Sequence, residues 1–147
     1  MSMNLFSGAD ISASGMSAER LRMEVVANNI ANANSTQSAD GGPYRRQQVV
    51  FSAALDDARR SGGTVSGLHG VNVHGTQNDM SELPQVHNPG HPDADPETGM
   101  VTMPNVQLPN EMVDLITASR SYEANLKALT SFKQMIEQTL MLLRGGA

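Results

Sequence analysis

At 147 residues the chain is long enough for one modest core, yet only 3% of it is aromatic, and it has ten Met but no Trp and no Cys. The missing cysteines exclude disulfides and thiolate metal sites, and the scarcity of rings argues for thin packing, or burial against other chains, over a wide compact core. The formal charge is −5, five acids fall between Asp79 and Glu97 with no Lys or Arg among them, and the remaining ten acids balance ten bases, so no basic stripe marks a nucleic-acid partner.

From Asn4 to Ala33 there is no proline, and residues recur at seven-residue intervals. Ala9, Met16, Met23 and Ile30 form one series, and Leu5, Ser12, Glu19, Val26 and Ala33 the other; seven of these nine are apolar. The pattern predicts an amphipathic helix with a narrow seam, about 45 Å long if all 30 residues are helical. Its last turns hold "VVANNIANANS", with Asn28, Asn29, Asn32 and Asn34 in quick succession. Asparagine is a poor helix former because its amide competes for backbone partners. Carboxamides that both donate and accept suit contacts to other chains, so Asn28, Asn29 and Asn32 are expected to face neighbours in an assembly. Asn34 is expected to end the helix in a left-handed cap.

The middle of the chain is broken by Pro and Gly clusters such as "DGGPY", "SGGTVSG" and "NPGHPDADPETG", which mark turns. Short alternating or β-branched runs at 45–51, 70–75 and 99–103 are expected to be strands. After Pro109, a favourable first-turn residue, no Gly or Pro interrupts residues 110–144. There Met112, Leu115, Ser119, Tyr122, Leu126, Leu129, Lys133, Ile136, Leu140 and Leu143 follow a heptad, eight of the ten apolar, and predict a coiled-coil seam. Its natural partner is the N-terminal helix, followed by copies of the chain. The expected fold is therefore mainly α with a small β-rich middle: a coiled-coil-like pair of long terminal helices, joined by a loop-rich unit of short strands. The segments are 1–36, 37–108 and 109–147.

Three clusters invite chemical readings. His87, His91, Asp93, Asp95 and Glu97 are donors of the kind zinc accepts, and a metal-binding module or metal-dependent hydrolase on the 87–97 loop is the alternative function. Three prolines and the lack of helical i, i+4 pairing instead make the segment an irregular solvated loop. "SRSYEAN" follows one helix, so its side chains point in different directions. Ser119 and Tyr122 lie on the seam, while Arg120 and Glu123 pair locally or bridge to a neighbouring subunit. Arg45 and Arg46 in "PYRRQ" alternate along a strand and mark a polar turn-to-strand junction rather than an anion site. No catalytic residue, metal ligand, cofactor or small-molecule substrate is assigned.

In order, "VVANNIANANS", "GGPYRRQQVVF", "NPGHPDAD" and "MPNVQLPNEMVDLITASRSYEANLKAL" resemble the bacterial flagellar basal-body rod proteins over almost the whole chain. "ANNIANAN" marks the wider group of rod and hook axial proteins. "PGHPDAD" together with "EMVDLITASRSYEAN", and the short length, point to the proximal-rod family. Met100 departs from the aromatic usual after the glycine, "LPNEM" departs from a more acidic approach to the last helix, and "MNLF" from Met3 reads like a family beginning. The resemblance implies a structural subunit, not an enzyme, in the rod of the periplasmic space, exported unfolded by the flagellar type III apparatus without a cleaved signal. Nothing in the first residues resembles such a signal. It further implies polymerisation with copies of itself, other rod proteins and the adaptor at the MS-ring base, forming the shaft that transmits torque and encloses the export channel. The residues expected to carry assembly are Asn28, Asn29, Ile30, Asn32, Met112, Leu115, Ser119, Arg120, Tyr122, Glu123, Leu126, Leu129, Ile136 and Leu140.

Overall fold

A computed structural model describes residues 7–38, 41–53 and 70–145; Met3, Leu5 and the whole of "SGGTVSG" lie outside them. The order is α1 (Ser7–Ala31), β1 (Gln47–Ala53), β2 (Val71–Asn78), β3 (Gln85–His87), β4 (Met100–Thr102) and α2 (Leu108–Gly145). The expected architecture of two long terminal helices around a small strand region is thus the one observed. Proline at the second position of α2 is tolerated because a first-turn N–H has no intrahelical acceptor, so the helix begins just ahead of Pro109. Helix α1 closes without a left-handed residue, since no non-glycine residue among those described has positive φ. Asn34 therefore does not form the expected cap. The last turn tightens instead, with the Ala33 N–H donating to the Ile30 carbonyl and the Ser35 N–H to that of Asn32.

Strands β1 and β2 form one two-stranded sheet, and β3 and β4 another. The second is antiparallel, with Gln85 opposite Thr102, Val86 opposite Val101 and His87 opposite Met100. Its long connection is closed by the Asn88 N–H to the Gly99 carbonyl, 2.9 Å, and the Gly99 N–H to the Asp95 carbonyl, 2.8 Å. Gly99 has φ +66, and a Cβ there would lie 3.1 Å from His87 Nε2, so glycine is required by conformation and by space.

The contacts divide the chain into two compact units. The first comprises 1–21, 51–74 and 117–147; the second comprises 22–50 and 75–116. In the first, α1 and α2 run antiparallel: Gly8 lies against the Phe132 ring, and a Cβ on Gly15 would meet Asn125 Nδ2 at 2.8 Å. In the second, the same antiparallel sense brings Arg22 to Asp114 and Asn29 to Glu111.

The inward stripe of each helix differs from the expected seam. On α1 the buried residues are Ala18, Val25, Val26 and Asn29, with Ala33 buried just beyond its end, while Met16, Met23 and Ile30 are half-buried. Only Val26 and Ala33 belong to the predicted series. On α2, Glu111 and Ala118 are buried and Asn125 and Phe132 half-buried, one position ahead of Met112, Ser119, Leu126 and Lys133. Leu115, Tyr122, Leu129 and Ile136 are half-buried, as the heptad predicts. The offset has a steric cause: glycine and alanine let the backbones approach and leave room for a ring or carboxamide opposite, pushing larger side chains to the flanks.

Candidate assembly site

The second unit is organised around Asn29 and Glu111, the two largest wholly buried side chains, each 0% exposed. Asn29 uses its full hydrogen-bonding capacity. Its Nδ2 donates to Glu111 Oε2 and to the Gln47 carbonyl, and its Oδ1 accepts from the Gln47 N–H and the Tyr44 hydroxyl, each at 2.9 Å. Glu111, in the first turn of α2, takes Arg46 Nε on its other oxygen. Arg46 Nη2 reaches Asp114 Oδ2 at 3.3 Å, and Arg22 Nη2 reaches Asp114 Oδ1 at 3.3 Å. A buried carboxylate is costly unless its lone pairs are filled; here an amide and a guanidinium fill them. Burial, and then the neighbouring Glu111 charge, push the Tyr44 hydroxyl above its ordinary value.

This clamp joins α1, the entry to β1 and the start of α2, all from residues of the second unit. It revises the reading of the asparagines. Asn29, expected to face other chains, is enclosed by its own. Asn28 is exposed, and Asn32 Nδ2 donates to the Asn28 carbonyl of the same helix, 2.9 Å. The two arginines separate before β1 begins: Arg46 enters the clamp, while Arg45 Nη1 donates to the carbonyls of Asp79 and Ser81. Asn105 braces the junction, its Oδ1 accepting from the Arg46 N–H at 2.7 Å and its Nδ2 donating to the Asp79 carbonyl at 3.1 Å. Sequence reasoning did not join Tyr44, Arg46, Asn105, Glu111 and Asp114 into one site, because their partners are remote in sequence and follow no period.

The His/Asp loop is held by its carboxylates. Asp93 accepts from Thr36 Oγ1 at 2.7 Å and from Gln37 Nε2, tying the loop to the segment after α1. Asp95 accepts from the Glu97 N–H at 3.0 Å and Thr98 Oγ1 at 2.9 Å. These bonds, led by the Glu97 N–H, hold the Asp95 carboxyl below its ordinary value; the Ser81 N–H does the same for Asp79. His91 Nδ1 accepts from the Asp93 N–H, 3.1 Å. Among the described residues, no three His, Asp or Glu side chains are placed to share a metal ion.

Along α2 the large apolar side chains are mostly uncovered. Leu126 is 46% exposed, Met112 54%, Leu140 55% and Met141 71%. Val113, Ile116, Met135, Leu142 and Leu143 are exposed as well. Of the α2 residues expected to carry assembly, Met112, Arg120, Glu123, Leu126 and Leu140 are exposed, and Leu115, Ser119, Tyr122, Leu129 and Ile136 are half-buried. Ile30 is likewise half-buried. Uncovered apolar surface of this kind makes α2 a candidate interaction face. No helix among the described residues is long and apolar enough to cross a membrane.

Two family models match the chain: "Flagella basal body rod protein" over residues 10–37 and "Flagellar basal body rod FlgEFG protein C-terminal" over residues 97–142. The two segments contain Asn29 and Glu111 respectively. The chain is 40% identical to the flagellar basal-body rod protein FlgC of Borreliella burgdorferi, covering 97% of this chain and 100% of that protein. It is 42% identical to the protein of the same name from Aquifex aeolicus, over 93% and 96% of the two chains. The Salmonella typhimurium FlgC protein is 39% identical over 95% and 96%.

Proposed function

The chain belongs to the FlgC family of flagellar basal-body rod proteins, and from that premise we propose that it polymerises through its terminal helices into the proximal part of the rod. It is a structural rod subunit. Its neighbours are copies of itself, other rod proteins and the adaptor at the MS-ring base, within the periplasmic space. It reaches that space through the flagellar type III export apparatus. The assembled shaft carries torque to the hook and encloses the export channel, and no catalytic step is part of this role. Residues 1–36 and 109–147 form the rod core, and the 79–97 loop of the middle region lies further out.

The observation that carries this reading is the apolar surface of α2 left uncovered in the single chain. Leucines at roughly half to three-quarters exposure are stable in a soluble subunit only if a partner covers them later or the segment stays mobile until it does. Asn28, Asn32, Met112, Arg120, Glu123, Leu126 and Leu140 remain the proposed contacts to other chains, with the half-buried seam residues supporting them from below. Deleting the gene in its own bacterium and isolating basal bodies tests the function. The expected result is non-motile cells with bases lacking a rod, restored by the full chain on a plasmid. Motile deletion cells, or basal bodies from wild-type cells free of this chain, would overturn it.

A further inference from the structure

We propose that Met112, Met135 and Met141 make the assembly face of α2 oxidisable, so that an oxygen-donating oxidant blocks incorporation of the free chain. The proposal rests on the reading that this face is buried on assembly. The chain has ten methionines and no cysteine, so thioethers, not thiols, are its soft sulfur groups. They are unevenly placed. Met112, Met135 and Met141 are 54%, 57% and 71% exposed on α2, whereas Met16, Met23, Met100 and Met103 are half-buried. At 100° per residue, Met112 lies about 40° from Ile116 within the second unit; within the first, Met141 lies about 60° from Leu126 and Met135 about 20° from Leu142, on a separate side of the helix. Each exposed sulfur therefore sits among the apolar groups that a neighbouring chain would cover.

The chemistry balances with hydrogen peroxide as oxidant. A sulfur lone pair attacks one peroxide oxygen, an S–O bond forms as the O–O bond breaks, and the departing hydroxide takes the proton from the transferred oxygen to leave as water. Sulfur loses two electrons and peroxide gains them. The product sulfoxide is polar and chiral, and is returned to the thioether by methionine sulfoxide reductases. Placed at a dry interface without a partner, such a group weakens assembly about tenfold per position. Met80 supplies an internal control: it is 76% exposed but belongs to the β2–β3 connection and is not part of α2.

The test treats the purified full chain with hydrogen peroxide and maps sulfoxides by peptide mass spectrometry. Oxidation at Met80, Met112, Met135 and Met141 should precede that at Met16, Met23, Met100 and Met103; uniform oxidation would contradict the proposal. Three variants are then compared in the deletion strain by counting hook–basal bodies. Met112→Gln/Met135→Gln/Met141→Gln mimics the polar product and should lower the count at least tenfold, while the corresponding triple Leu variant and Met80→Gln should leave it unchanged. Circular dichroism of the purified variants should show equal helix, because the substituted positions are exposed. A normal count in the triple Gln variant overturns the proposal. If Leu126→Asp/Leu140→Asp still abolishes rods in that case, the assembly reading survives. If it too is tolerated, both fall.

Discussion

Asn29→Ala is expected to destabilise the folded chain by about 3 kcal/mol or more, whereas Asn28→Ala, one residue away, should change stability by no more than about 0.5 kcal/mol. The asymmetry follows from the partners. Removing the Asn29 carboxamide leaves Glu111 Oε2, the Tyr44 hydroxyl and both backbone groups of Gln47 without their 2.9 Å bonds. Each buried group so stranded costs roughly 1–3 kcal/mol, and the site has no exposure through which water could compensate. Asn28 is exposed, so water replaces its side chain at little cost. Asn29→Asp keeps the shape but sets a carboxylate against Glu111, replacing an attractive contact by like-charge repulsion, and should be worse than alanine. Chemical denaturation of the purified chain measures all three variants. Equal effects of Asn28→Ala and Asn29→Ala would refute the clamp.

Leu126→Asp combined with Leu140→Asp is expected to abolish rods and swimming while leaving the isolated chain folded. Both leucines are about half exposed, so a carboxylate at either position stays hydrated in the free subunit. At an interface between subunits it must be dehydrated without a partner, which costs several kcal/mol per contact. Because a polymer repeats every contact, the penalty recurs at each added subunit. Swimming assays and electron microscopy of basal bodies read the outcome beside circular dichroism of the purified variant. Swimming cells with complete rods would remove α2 from the interface; loss of helix in the purified variant would mean that the leucines support the fold of the single chain.

The large features of this fold are legible in sequence because each rests on a local rule. The long stretch without Gly or Pro after Pro109 could only be a helix, and the β-branched runs at 45–51, 70–75 and 99–103 fall on strands β1, β2 and β4. Strand β3 was missed: "QVH" is three residues between Pro84 and "NPG", and exists as a strand only through its pairing with β4. The helix faces were legible only in part. Hydrophobic periodicity follows large side chains, whereas in the first unit Gly15 faces Asn125 and Ala18 and Ala118 are buried, and in the second unit Glu111 is buried. Those residues are too small or too polar to register as a seam. The clamp was the least legible, because Asn29 and Glu111 lie 82 residues apart and a polar pair at that distance has no signature in one sequence. What did signal it was the cost of placing an asparagine-rich turn at the end of a helix. That cost is repaid at Asn29 within the chain, and the surrounding asparagines remain at or near the surface.

The most direct measurement is a cryo-EM map of the intact basal body in which this chain is traced. Leu126, Leu140 and Met141 should be covered by neighbouring subunits, while Asn29 and Glu111 stay bonded within each chain. A rod in which those apolar side chains face solvent and Asn29 reaches across to another subunit would contradict both the assembly face and the clamp.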